Sequence, residues 1–311
     1  MPGIAVVFPG QGSQYPGMGQ ELAEAFPQAR RIYERADRFL GVPLSALCFN
    51  GTQQELDKTE STQAAVLTTS LAVFTVLKEQ GLTPSIAAGL SLGEYSALAA
   101  CGALSFEDAL GLVIKRGQIM QQAAPAGQGM MAAVLGAAGD TVEQACAEAA
   151  GCGIVDIANY NCPGQIVISG ERRAVLQAGE LLKERGARVV PLAVGVPSHS
   201  RLMKKAAELF RRELEKIDWA EPHTPVVSNV QAREIHSSDL PRILVEQLYR
   251  PVKWEQSTAY IAERVDYFVE VGPSKVLSGL IKKTAKDKVL GSVQDLASLK
   301  KVLSRVKGAA E

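Results

Sequence analysis

No surplus of either charge marks this sequence: 33 lysines and arginines balance 33 aspartates and glutamates. A chain that grips nucleic acid needs a basic excess to neutralise phosphates, so that class is excluded. Histidine is scarce, at three residues, which leaves few choices for imidazole chemistry. The five cysteines, Cys48, Cys101, Cys146, Cys152 and Cys162, are odd in number and contain no C-x-x-C pair. That excludes a disulfide framework and a cysteine-held zinc, and it fits a reducing compartment. No apolar run approaches the ~20 residues that span a bilayer. The start, Met1-Pro2-Gly3-Ile4-Ala5-Val6-Val7-Phe8, lacks the basic segment and long apolar stretch of a signal peptide. A cytoplasmic protein without a membrane partner is expected.

What remains is a chain of 311 residues, 47% apolar, enough for a large core with a smaller insert. Short apolar runs alternate with helical patterns. A buried strand is expected at 4–8, ending at Pro9-Gly10, then a helix over 21–39 and a strand at 86–90. Ser105-Phe106-Glu107-Asp108 has the capping-box form and opens a long helix that ends near Ala124-Pro125. Such alternation points to a parallel sheet covered by helices. From 130 to 193 the order changes to strand, helix, strand, strand, helix, strand, which is the ferredoxin-like βαββαβ pattern. The expected architecture is therefore α/β. A hydrolase-like parallel-sheet domain covers 1–125 and 197–311, and a ferredoxin-like subdomain is inserted at 126–196. Helices are expected again at 201–217, 239–248, 254–264 and 275–283, with strands at 224–229, 267–271 and 289–293.

The chemistry centres on Gly89-Leu90-Ser91-Leu92-Gly93, a G-x-S-x-G string between an expected strand and an expected helix. A sharp strand-to-helix turn crowds the chain, so small residues must flank the serine that it lifts clear. The plain alternative is a glycine-rich turn with a helix-capping serine. A nucleophilic serine needs oxyanion donors. One comes from the residue after it, Leu92, and another from a loop after an early strand, such as Pro9-Gly10-Gln11-Gly12-Ser13-Gln14. That loop does not keep the spacing of a phosphate-binding G-x-G-x-x-G.

Among the histidines, His223 and His236 lie in polar surface segments. His199, in Pro197-Ser198-His199-Ser200, follows an apolar run and precedes a helix, the position where open α/β sheets carry their sites. It is the expected general base. Asp108, Asp140 and Asp156 fall between serine and histidine in hydrolase order. The first two read as helix-start residues and the third as part of a strand. A Ser-His dyad oriented by a backbone carbonyl is expected instead. Arg116 shares a helical stripe with Leu112, Ile119 and Met120, so it is at least partly buried and needs an anionic partner. The sharper reading is a clamp on a substrate carboxylate; the plain alternatives are a structural ion pair or a side chain that snorkels to solvent.

Together these motifs resemble the malonyl-CoA:acyl carrier protein transacylases of fatty-acid synthesis. The resemblance spans essentially the whole chain. It continues through Lys115-Arg116-Gly117, the run from Asn161 to Gly170, Val196-Pro197-Ser198-His199-Ser200, the run from Glu246 to Val252, and the run from Glu270 to Leu277. It implies Ser91 as the acylated nucleophile, His199 as its base, and Gln11 and Leu92 as oxyanion donors. It further implies that Arg116 holds the malonyl carboxylate, that Gln11 and Ser198 line the substrate site, and that the Gln247 carbonyl fixes the imidazole. The implied partners are malonyl-CoA and an acyl carrier protein, with no cofactor or metal. Lys204, Lys205, Lys282 and Lys283 could form a docking face for an acidic carrier. Leu90 departs from the family, whose usual string is G-H-S-L-G. A loading enzyme for polyketide-synthase carriers, a serine esterase or thioesterase, and a binding module remain alternatives.

Overall fold

Two sheets organise the chain in the computed structural model, which describes residues 2–123 and 127–309. The described strands are β1 (Ile4–Phe8), β2 (Ile86–Gly89), β3 (Gly129–Leu135), β4 (Val155–Cys162), β5 (Gln165–Glu171), β6 (Arg188–Pro191), β7 (Val226–Val227), β8 (Val252–Lys253), β9 (Tyr267–Val271) and β10 (Val289–Val293). The expected helix end at Ala124-Pro125 and the boundary at 125/126 lie outside the described residues.

The first sheet has the order β10-β9-β1-β2-β7, and every pair in it is parallel. Its central strand β1, Ile-Ala-Val-Val-Phe, is buried at every position, as a strand covered on both faces must be. Ile4, Val6 and Phe8 enter one core with the helix Thr59–Glu79. Ala5 and Val7 face the other core, which contains Trp254 and Phe268. The second sheet has the order β6-β3-β5-β4-β8. Strands β3 to β6 pair antiparallel, with the helices Gly139–Glu148 and Arg172–Glu184 between them, in the βαββαβ order. Their core holds Val134, Ile168, Val175 and Leu182. Strand β8 joins this sheet from far along the chain and runs parallel to β4. A second tie is Arg201, whose backbone N–H and Nε both donate to Asp156 at 2.8 Å.

The helix expected over 21–39 is two helices, Gln20–Ala25 and Pro27–Leu40. Proline cannot donate its nitrogen and pushes the preceding residue out of helical conformation, so Phe26 is extended and Pro27 starts the new helix. The segment 44–79 drew no expectation, yet it forms the helices Leu44–Asn50, Gln53–Leu56 and Thr59–Glu79. The last of these is buried nearly all round, so it has no amphipathic stripe to betray it. The C-terminal helix Leu296–Gly308 was likewise not anticipated. Half of the capping box at Ser105 forms, with the Asp108 N–H donating to Ser105 Oγ at 3.0 Å and that hydroxyl donating to the Asp108 carboxylate at 2.6 Å. Among the described residues, no helix is long and apolar enough to cross a membrane.

Backbone crowding at the β2 turn sets its glycines. A Cβ on Gly93 would lie 2.1 Å from the Phe8 carbonyl oxygen, and one on Gly89 would lie 1.9 Å from Gly93 backbone atoms. Backbone cannot step aside as a flexible side chain can. Gly93→Ala is therefore expected to lower unfolding free energy by about 2–3 kcal/mol. The check is a lower denaturant midpoint with an unchanged slope. A wild-type midpoint would refute the crowding argument.

Candidate active site

Strand β2 ends at Gly89, and the helix Leu92–Ala100 begins two residues beyond Leu90. Ser91 occupies the corner with φ 53° and ψ −102°. Only three described non-glycine residues have positive φ: Ser91, His199 and Ala232. Strain of this kind costs about 1–3 kcal/mol and persists only where neighbours enforce it. Here the neighbours are identifiable. Asn229, just after β7, accepts the Ser91 N–H on Oδ1 at 2.6 Å and donates Nδ2 to the Gly89 carbonyl at 2.6 Å. Gln247, closing the helix Leu240–Gln247, donates Nε2 to the Ser91 carbonyl at 3.0 Å. Ser91 makes no side-chain cap to its own helix, which rules out the plain capping role. Its oxygen instead lies 2.8 Å from His199 Nε2.

The imidazole is held on its other side. His199 Nδ1 is 2.7 Å from the Gln247 carbonyl oxygen, and its backbone N–H donates to the Leu248 carbonyl at 2.9 Å. A carbonyl accepts only, so the proton resides on Nδ1 and Nε2 is free to accept from serine. Burial first, and then the Arg116 charge, pull the His199 pKa down to about 4, against the hydrogen bonds to the Gln247 and Arg250 backbone. The ring is therefore neutral at physiological pH. None of the weighed aspartates stands beside it. Asp108 bonds Ser105, Asp140 sits in the first turn of Gly139–Glu148, and Asp156 binds Arg201. The other histidines bond elsewhere: His223 is 3.2 Å from Thr224 Oγ1, and His236 pairs with Glu221 at 3.0 Å.

Arg116 is 2% exposed. Its Nη2 donates to Ser91 Oγ at 3.0 Å and to Gln247 Oε1 at 3.2 Å, and its Nη1 donates to Gln63 Oε1 at 3.1 Å. Its Nε is buried without a partner. All three partners are neutral, so this cation is solvated by dipoles and faces the serine oxygen. Leu92 is the first residue of its helix, where backbone N–H groups have no acceptor within the helix. Gln11 lies on the facing loop. A Cβ on Gly10 would come 2.5 Å from the Leu90 carbonyl, so that loop rests directly against the turn. Gln11, Ser91, Arg116, Ser198 and His199 all border one cavity of about 290 Å³. Its remaining wall includes Met120, Val276 and Leu280 from helices, and Met131, Asn159, Asn161 and Val167 from strands of the second sheet. The serine oxygen thus sits between the turn after β2 and the second sheet. Among the described residues, no cluster of three His, Cys, Asp or Glu could hold a metal.

The sequence reading therefore named the residues that meet at Ser91, and through the resemblance Gln247, but missed Asn229, Gln63 and Glu94. Asn229 carried no signal: it follows a two-residue strand in an unremarkable polar stretch. Glu94 left one, a charged side chain at the start of an apolar helical run, but such residues usually face solvent; Gln63, at the end of the polar run Thr59-Glu60-Ser61-Thr62, left none. Asn229→Ala leaves the Ser91 N–H and the Gly89 carbonyl without their partners. It is expected to lower unfolding free energy by about 2–4 kcal/mol, measured by denaturant titration. A loss below 1 kcal/mol would show that the turn keeps its shape without this residue.

An acyl transferase domain model matches residues 5–306. The malonyl CoA-acyl carrier protein transacylase of Bacillus subtilis is 48% identical over 308 residues, 98% of this chain and 97% of that protein. The solved structure of the corresponding transacylase from Clostridium perfringens superposes with a TM-score of 0.96 at 41% identity, covering 99% of this chain and 98% of that one. A chain in the solved complex of a type II PKS acyl-carrier protein with its malonyl-transacylase gives a TM-score of 0.95 at 43% identity, over 97% of this chain and 99% of that one. Matches of this extent leave no separate region to be explained, and the chain belongs to the acyl transferase family, with its similarity running to malonyl CoA-acyl carrier protein transacylases.

Proposed function

We propose that the chain is an acyltransferase that moves malonyl from malonyl-CoA to the pantetheine thiol of an acyl carrier protein in fatty-acid synthesis, through a malonyl ester on Ser91. The observation that carries this reading is Arg116, a buried guanidinium 3.0 Å from the serine oxygen with only neutral partners. A short acyl group on Ser91 that ends in a carboxylate would give that cation its counter-charge. Acetyl would leave it unpaired, and unpaired buried polar groups are the strongest basis for rejection.

The first half-reaction begins as Ser91 Oγ attacks the thioester carbon and His199 Nε2 takes the serine proton. The oxyanion forms against the backbone N–H groups of Leu92 and Gln11. The C–S bond then breaks and the same proton goes to the coenzyme sulfur. In the second half the pantetheine thiol gives its proton to His199 and attacks the malonyl ester, returning Ser91 to its hydroxyl form. No cofactor is required. Charge around the cleft supports an acidic carrier. Lys282 and Lys283 end the helix Val276–Thr284, whose Val276 and Leu280 border the cavity. Lys204 lies over the Tyr249 ring beside a more open hollow that also reaches His199.

Intact-protein mass spectrometry after brief exposure to malonyl-CoA should show one malonyl adduct that is absent in Ser91→Ala and discharged by carrier protein. Consumption of malonyl-CoA without an adduct or an acceptor would mean a hydrolase instead. Running fatty-acid and polyketide carriers side by side assigns the acceptor. Arg116→Ala is expected to cut the preference for malonyl over acetyl by about 10- to 100-fold, measured as the ratio of kcat/KM values. An unchanged ratio would remove Arg116 from substrate recognition.

A further inference from the structure

Sequence order suggested three acids for the histidine, and none reaches it. An acid is nevertheless present one residue removed. Glu94, three residues after the nucleophile, is 0% exposed. Its Oε2 accepts from Gln247 Nε2 at 2.5 Å, and its Oε1 accepts from the Asn229 backbone N–H at 3.2 Å. Those are the two residues that hold the Ser91 peptide. Gln247 also presents its backbone carbonyl to His199 and its Oε1 to Arg116.

The orientation of the Gln247 amide is decided by its neighbours. Its two ends have the same shape and opposite hydrogen-bonding character. Arg116 can only donate, so it requires the oxygen. The Ser91 carbonyl and an ionised Glu94 can only accept, so they require the nitrogen. A neutral acid or an amide at position 94 could itself donate, and the amide could then turn over. Arg116 would face an NH₂ group, and the Ser91 carbonyl would lose its donor. We propose that Glu94 is a positioning residue: through Gln247, its carboxylate does for this Ser-His pair what a directly bonded acid does elsewhere, keeping nucleophile, base and cation in register.

The groups facing Glu94 are Arg116 from Phe106–Ala123, Gln247 from Leu240–Gln247, Asn229 after β7, and Tyr95 on its own helix. Burial raises Glu94 to about 7 against the downward pull of Gln247, Asn229 and Arg116. The carboxylate is thus present above about pH 7 and lost as pH falls through it. His199, at about 4, would by itself leave the base competent well below that point.

The inference rests on the acyl-transfer reading for its relevance to malonyl, so the test uses a reaction that does not depend on it. The rate of Ser91 phosphonylation by a neutral fluorophosphonate is measured across pH 5–9, alongside malonylation and the thermal midpoint. Glu94→Gln should slow phosphonylation by about 10- to 100-fold in folded protein and abolish any wild-type loss of rate near pH 7. Glu94→Asp, which keeps the charge, should recover part of the rate, and it serves as the decisive variant if Glu94→Gln does not fold. Folded Glu94→Gln that labels at the wild-type rate overturns the proposal. So does a loss that only follows the folded fraction, with the pH profile unchanged. Wild type that is phosphonylated but takes no malonyl would refute the substrate reading and leave Glu94 to be judged on the phosphonylation rates.

Discussion

The active geometry depends on one strained peptide. Ser91 is held in a conformation that few L-residues adopt, and its N–H and carbonyl are each bound by a side chain from a distant part of the chain. Asn229 arrives after the edge strand β7, and Gln247 at the end of a helix. The parallel sheet brings both to the carboxyl ends of its strands, where α/β sheets place their sites. Close packing of Gly89, Gly93 and Gly10 lets the turn, the following helix and the first loop approach within backbone contact. The serine oxygen is thereby aimed at a fixed point, and His199 and Arg116 converge on it.

The charges around that point are few and buried. Arg116 supplies one positive charge, Glu94 one negative above about pH 7, and His199 remains neutral because burial and the nearby guanidinium both oppose its protonation. Arg116 and Glu94 do not touch directly. Gln247 stands between them, accepting from one and donating to the other. A direct ion pair would satisfy the guanidinium internally and leave nothing for a ligand. An amide relay keeps the two charges attracted while the cation still has capacity for an external carboxylate.

The residues that touch substrate in this account were readable because their chemistry is rare in context. A serine between glycines, one of only three histidines and an arginine in an apolar helix each stand out locally. The βαββαβ order was readable because strand and helix periods alternate cleanly there. What could not be read is long-range. Asn229 reaches Ser91 across 138 positions and Gln247 across 156, and no local pattern encodes such contacts. The helix Thr59–Glu79 escaped notice for the opposite reason, since burial on nearly every side erases the amphipathic stripe by which helices are recognised. The break before Pro27 was legible in principle, because proline seldom continues a helix.

Transfer rather than hydrolysis requires the ester to outlast its exposure to water, and the second sheet bears on this. Met131 and Val167 give the cavity an apolar wall, while Asn159 and Asn161 stand among them as neutral amides. The groups nearest the Ser91 oxygen are already engaged: His199 by Gln247, and Arg116 by Gln63 and Gln247. A carboxylate seated on Arg116 would occupy the space beside the base where a hydrolytic water would otherwise stand. With Arg116 in the role proposed for it, specificity and protection of the ester would have a common origin, because the group that holds the malonyl carboxylate would also help to exclude water from it.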